Sequence, residues 1–332
     1  MPPLYVIEQG ARLSCDGRRL VISKEDEELS SVPLVHVSEV ILLGNIGLTT
    51  PAIKLLLREN IDVVFLTQEG EYCGRLTGPG TPHVLLRRRQ YRCLEEGRFV
   101  LAMAQGFVRG KLSNMRTLLM KHNRERGDAT IQAAIEALGA ALGRVPRTTA
   151  LSSLSGVEGA ATAAYFGGWK RLLKGEWKFE KRQRRPPPDA INVLLSFGYT
   201  LLAHTAQSAV EAAGLDPYAG FLHGVEYNRP SLALDLMEEF RPVVDGVVLW
   251  CCNSGEITPE DFAPGEAERP VVISAEAKRK FIQAYERRME QSIFHPQQNV
   301  RLSLRRCLHA QARLIVECIH KGQPTYLPMV FR

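Results

Sequence analysis

Short runs of strand length open the chain, and long helical periods follow. Between residues 4 and 76, PLYVIEQGARLSC and RRLVIS are two β-type runs separated by Asp16-Gly17, a hairpin signal. VPLVHVSEVILLG adds a third run rich in Val, Ile and Leu. TPAIKLLLREN opens with Thr-Pro and spaces its apolar residues as a helix does, and IDVVFLT and EYCGRLTG return to strand length. From Glu95 onward the period is almost everywhere three to four residues. RFVLAMAQGFVRGKLSNMRTLLMKHNRER, IQAAIEALGAALGRV, TTALSSLSGVEGAATAAYFGGWKRLL and AINVLLSFGYTLLAHTAQSAVEAAGL each predict a helix. VVDGVVLWCCN fits helix or strand, SAEAKRKFIQAYERRME is an amphipathic helix, and the last forty residues hold one more helix and a Pro-containing tail.

The expected architecture is therefore α+β. A small β-rich domain spans 1–78, a Gly/Pro-marked linker spans 79–94, and an all-helical domain spans 95–332, within which 292–332 matches no motif. At 332 residues, 45% hydrophobic and 23% charged, the chain has the make-up of a soluble protein of two ordinary domains. No apolar run reaches membrane-span length, and MPPLYVIEQG lacks a signal-peptide layout, so a cytoplasmic protein without a membrane partner is expected. The seven scattered cysteines include no CxxC, which fits a reducing compartment. Cys-Leu-His at 307–309 and Cys-Ile-His at 318–320 place their ligand types on different helix faces and argue poorly for zinc.

A net charge of +6 permits a polyanionic partner, and the basic residues are clustered. Arg87, Arg88, Arg89 and Arg92 follow the Gly/Pro stretch, and Lys181, Arg182, Arg184 and Arg185 lie in a loop that ends in three prolines. Such clusters serve as solvated faces or as contacts to phosphates.

Candidate chemistry centres on GFLHGVEYNRPSLALDLMEEFRP, residues 220–242. His223 sits in a Gly-flanked turn before a short helix on which Asp235 and Glu238 share a face, while Glu239 points about 100° away and is expected in solvent. By itself the stretch fits an acidic surface helix as well as part of a metal site. Glu158, set among Gly156, Gly159 and Ala160 with Thr162 and Tyr165 on its face, supplies a third candidate ligand. There the alternatives are a carboxylate serving a ligand and a tight helix crossing with Glu158 at its rim. Two carboxylates and one imidazole (Glu158, Glu238 and His223) suit Mg²⁺ or Mn²⁺, with Asp235 assisting, and such a site in a basic protein suits phosphodiester chemistry. Phosphate-loop, dinucleotide-fold and GxSxG signatures are absent.

The stretches SGVEGAATAAYF, RRPPPDAINVLLSFGYTLL, GLDPYAGFLHG and RPSLALDLMEEFRPVVDGVV together closely resemble the CRISPR-associated endonuclease family, the integrase subunit of spacer acquisition, over residues 4 to 290. The resemblance implies a β domain followed by a helical catalytic domain. It implies homodimers joined by a small CRISPR-associated partner protein into a complex that binds double-stranded DNA, both the spacer precursor and the CRISPR repeat. It implies attack of a DNA 3′-hydroxyl on a phosphodiester, with Glu158, His223 and Glu238 as metal ligands and Asp235 in support. Arg87, Arg88, Arg89, Tyr165, Lys181, Arg182, Arg184 and Arg185 are candidates for DNA contact. After the His223 motif this chain reads GVEYNRPS where the family has a polar or Gly-containing loop, so Glu226 and Tyr227 stand out. A branched-DNA repair nuclease with the same metal site and a noncatalytic DNA-binding scaffold are the alternatives.

Overall fold

A computed structural model describes residues 2–78 and 83–331. They fall into two compact units divided between residues 80 and 81.

The first unit contains β1 (Leu4–Val6), β2 (Arg12–Asp16), β3 (Arg19–Lys24), β4 (Glu27–Pro33), β5 (Glu39–Leu43), β6 (Gly47–Leu48), α1 (Thr50–Arg58), β7 (Asp62–Leu66) and β8 (Tyr72–Leu76). One sheet has the order β1-β5-β7-β8, and the other has the order β4-β3-β2-β6. Strand β5 runs parallel to a neighbour on each side and is buried along its whole length, which explains the apolar run Val40–Leu43 that follows Glu39. Leu13, Leu20, Val40, Leu42, Leu56 and Val63 form the core. The Asp16-Gly17 hairpin forms as expected, and Thr49 caps α1 by accepting the Ala52 N–H.

The second unit begins with α2 (Val84–Glu95), α3 (Gly97–Asn123), α4 (Ala129–Arg144), α5 (Leu151–Trp169), α6 (Ala190–Ala212), α7 (Ser231–Glu238) and α8 (Arg241–Asn253). It continues through β9 (Phe262–Glu266), β10 (Arg269–Ile273), α9 (Ala275–Met289), β11 (Ser292–His295), β12 (Val300–Ser303) and α10 (Leu304–Lys321). The expectation of an all-helical domain is corrected by two hairpins, β9–β10 and β11–β12. Pro264, Gly265 and Pro270 disfavour helix in the first hairpin, and Pro296 precedes the turn of the second. The ambiguous 243–253 run is helical, in α8.

Of the expected 79–94 linker, residues 79–82 lie outside the described residues. The remainder is the helix α2, and its Gln90 side chain holds a distant loop. Its Nε2 donates to the Asp216 and Ala219 carbonyls at 2.9 and 3.0 Å, and its Oε1 accepts the Asp216 N–H at 2.9 Å. A buried amide with all these partners fixes the turn that leads to His223. Among the described residues, no helix is long and apolar enough to cross a membrane.

Candidate active site

The turn before α7 is folded around one buried carboxylate. Asp235 accepts the backbone N–H of Phe221 at 2.6 Å, of Leu222 at 2.9 Å and of His223 at 2.9 Å. Asp235 is fully buried, and four donors converge on it, because its Oδ1 also lies 2.7 Å from His223 Nδ1. A carboxylate only accepts, so in the neutral imidazole Nδ1 carries the proton and Nε2 keeps its lone pair. Gly220 is needed for this packing, since a Cβ there would fall 2.6 Å from the Ser231 carbonyl carbon. The Ser231 hydroxyl closes the turn by donating to the Gly224 carbonyl at 2.8 Å.

His223 Nε2 faces Glu238, 4.0 Å from Oε1. The Glu238 side chain is buried, and its Oε1 accepts from Arg241 Nε at 2.8 Å. Lys111, from the middle of α3, brings Nζ to 2.7 Å from Glu238 Oε2 and also pairs with Glu158 Oε1. Lys111 is the cation that meets Glu238 Oε2, so one ammonium is shared between the two carboxylates. Burial alone would raise the Glu238 carboxyl, but the cations of Arg241 and Lys111 outweigh it and hold the group well below the ordinary carboxylate range. Thr162, one turn along α5, donates to Glu158 Oε1 at 2.9 Å. The exposed flank of Glu158 is open rather than a helix crossing, for no atom lies within 4 Å of where a Cβ would stand on Gly156 or Gly159.

The predicted residues Glu158, His223, Asp235 and Glu238 therefore meet in one place, and Lys111, which the sequence reading missed, ties them together. Among the described residues, no three His, Cys, Asp or Glu side chains stand close enough to hold a metal ion with these rotamers. The space between Glu158 and Glu238 is taken by an ammonium instead. The donor types still suit a divalent cation: two carboxylates already gathered around one positive charge, and an imidazole with Nε2 facing Glu238.

Behind the site lies a second buried network. Asp245 accepts from Tyr165 at 2.7 Å and from Tyr199 at 2.5 Å, and the Arg241 guanidinium stacks 4.6 Å above the Tyr199 ring. Burial pushes the Asp245 carboxyl up to about 6, with both tyrosine hydrogen bonds opposing it.

Three expectations are corrected here. Tyr165 is 0% exposed and cannot reach DNA, because two turns beyond Glu158 the same helix face is covered by protein. Arg182 is half-buried and structural, donating to Asn192 Oδ1 at 2.9 Å and to Ser196 Oγ at 3.0 Å. Glu239 is fully buried rather than solvated. It is covered by the segment after α10: Tyr326 donates to Oε1, Met329 N–H donates to Oε2 at 2.5 Å, and Gln311 lies alongside. Burial pushes its carboxyl up to about 8 against those hydrogen bonds. The stretch 292–331 is thus a built-in part of the helical unit. At Gly110 a Cβ would lie 2.6 Å from Pro328, so the tail packs straight onto α3.

The other basic candidates differ in setting. Arg87 is half-buried and donates to the Gly214 carbonyl at 3.3 Å, while Arg89 sits 2.8 Å from His320 Nδ1. Arg88, Lys181, Arg184 and Arg185 are exposed. Arg184 lies within electrostatic range of Arg241 and Glu238, which puts its loop beside the site. Tyr227 stands fully exposed, and Glu226 pairs with Arg229 at 2.7 Å.

The family model described as CRISPR associated protein Cas1 matches residues 4–287. A relative from Thermus thermophilus, CRISPR-associated endonuclease Cas1 3, is 39% identical over 332 residues, covering 99% of this chain and 97% of its own. A solved Cas6-RT-Cas1–Cas2 complex aligns at 28% identity with a TM-score of 0.84, covering 99% of this chain and 36% of that one. A casposase bound to integration product, 22% identical with a TM-score of 0.86, shares the fold over 100% of this chain and 95% of its own. With a family model matched over residues 4–287 and a relative 39% identical along 99% of its length, the chain belongs to the Cas1 family of CRISPR-associated endonucleases.

Proposed function

We propose that this protein is a metal-dependent DNA endonuclease and integrase. In this reading it inserts short double-stranded DNA fragments into a CRISPR repeat array. The observation that carries the proposal is the meeting of Glu158 and Glu238 on one cation beside Nε2 of His223. Carboxylates buried against positive charge are what an enzyme needs to hold Mg²⁺ or Mn²⁺ and what a passive DNA scaffold has no use for.

Glu158, Glu238 and His223 would hold the ion. When bound, it would offset charge on the phosphate oxygens and acidify the attacking hydroxyl. Asp235 keeps the proton on Nδ1 of His223, so that Nε2 stays directed at the site. In the strand-joining step a fragment 3′-oxygen forms a bond to the target phosphorus. The bridging P–O bond breaks, and the departing oxygen leaves as the hydroxyl of the repeat strand. Arg184, Arg185 and Lys181 are exposed beside this site and would grip the DNA backbone without reading sequence. In this reading a small partner protein joins two homodimers of this chain, and the likeness to a Cas6-RT-Cas1–Cas2 complex supports a protein partner.

The test replaces Glu158 or His223 with Ala and measures Mn²⁺-dependent DNA cleavage together with integration of a short duplex into a repeat-bearing plasmid. Loss of both activities is expected in both variants, and unchanged activity in both would overturn the assignment. Cleavage of junction DNA by the wild type without any integration would instead favour a branched-DNA repair nuclease.

A further inference from the structure

The strongest unassigned feature is the buried ammonium of Lys111. Its side chain is only 8% exposed, and its Nζ contacts both Glu158 and Glu238. A lysine that deep is unfavourable unless its charge is matched, and here two carboxylates match it. Glu238 Oε2 meets Nζ at 2.7 Å, while Glu238 Oε1 is held separately by Arg241 Nε at 2.8 Å. Glu158 adds Thr162 as a second partner at 2.9 Å on the oxygen that Lys111 touches. The Glu158 side chain is 23% exposed, so this end of the Lys111 pairing meets solvent.

We propose that Lys111 is an exchangeable resident cation: it keeps Glu158 and Glu238 gathered while no metal is bound, and a divalent ion must displace it to use those carboxylates. The inference rests on the metal reading above. Both cations need the same oxygens, and an ammonium left within a few ångströms of a divalent ion in a poorly solvated setting repels it. The resident lysine therefore weakens metal binding, and in the metal's absence it keeps the two carboxylates from repelling each other. Lys111 acts through Glu158 and Glu238, so it is a positioning residue rather than a catalytic one.

The test is Mn²⁺ binding to the full-length protein, followed by titration calorimetry, for the wild type, Lys111→Met and Lys111→Arg. Methionine keeps the unbranched shape without the charge. Expected are at least tenfold tighter Mn²⁺ binding by Lys111→Met and no tightening by Lys111→Arg. Thermal unfolding provides a second readout. Metal-free Lys111→Met should melt below the wild type, and saturating Mn²⁺ should raise its midpoint by more than it raises the wild type's. Binding by the wild type and Lys111→Met with equal affinity would overturn the proposal while leaving the metal site standing. Weaker binding by Lys111→Met would overturn it too, because the lysine would then be helping the metal. Absence of Mn²⁺ binding in every form, including wild type, would overturn the metal reading and this inference with it.

Discussion

Asp235 and His223 are joined twice through a single oxygen: Oδ1 accepts the His223 backbone N–H at 2.9 Å and faces its ring Nδ1 at 2.7 Å. Position and tautomer of the imidazole thus have one cause. Asp235→Asn keeps the shape but points an amide at groups that are themselves donors. DNA cleavage should fall roughly 10- to 100-fold, as when a partner that orients a metal-binding histidine is lost. Ring nitrogen NMR shifts of His223 should show the Nδ1-protonated tautomer in the wild type and its loss in the variant.

Arg184 is exposed and electrostatically coupled to Glu238, whereas Arg182 is spent on Asn192 and Ser196. Arg184→Ala should weaken duplex binding for all sequences alike and lower the slope of log affinity against log salt by about one. Arg182→Ala should act mainly on stability. Fluorescence anisotropy across a salt series, paired with denaturant unfolding, separates the two.

Asp245, pushed up to about 6 by burial, ties folding to pH. The native state holds this proton more tightly than the unfolded chain. The associated stability is fully present below about pH 4, the usual carboxylate range, and is lost as pH rises through about 6. The stability difference between wild type and Asp245→Asn should change by about 1.4 kcal/mol per pH unit inside that window and stay flat above it. Urea unfolding from pH 4 to pH 8 would check this.

Tyr326 donates to Glu239 Oε1 and accepts from Gln311 Nε2 at 2.7 Å, all within the buried interior. Tyr326→Phe removes a hydrogen bond to the buried Glu239 carboxylate, which keeps Met329 N–H and Gln311, and should cost roughly 1–3 kcal/mol in unfolding free energy. Since Glu239 follows Glu238 in the chain, looser packing should also weaken Mn²⁺ binding, which calorimetry would register.

Local signals carried much of the fold. The Asp16-Gly17 hairpin, the Thr-Pro start of α1 and the long helical periods are all written in adjacent residues. The three-residue spacing of Asp235 and Glu238 and the setting of Glu158 likewise pointed to the site. Glu239 was misplaced because its cover comes from Tyr326 and Met329, some 90 residues on, and no helix period reports that. Tyr165 was misplaced because sharing a face with Glu158 says nothing about where along the helix the protein closes over it. Lys111 did leave a trace. Ala104, Phe107, Lys111 and Met115 fall at three- and four-residue steps and are all buried, so the lysine occupies a place on the apolar stripe.

The tail that seals Glu239 behaves as a peptide ligand attached to its own receptor. Asn114 accepts the Phe331 N–H at 2.8 Å and donates to the Met329 carbonyl at 2.8 Å, while Gln311 donates to the Leu327 carbonyl at 3.1 Å. A chain ending at Gly322 would leave the Glu239 carboxyl and the Asn114 and Gln311 amides to find water in place of these partners.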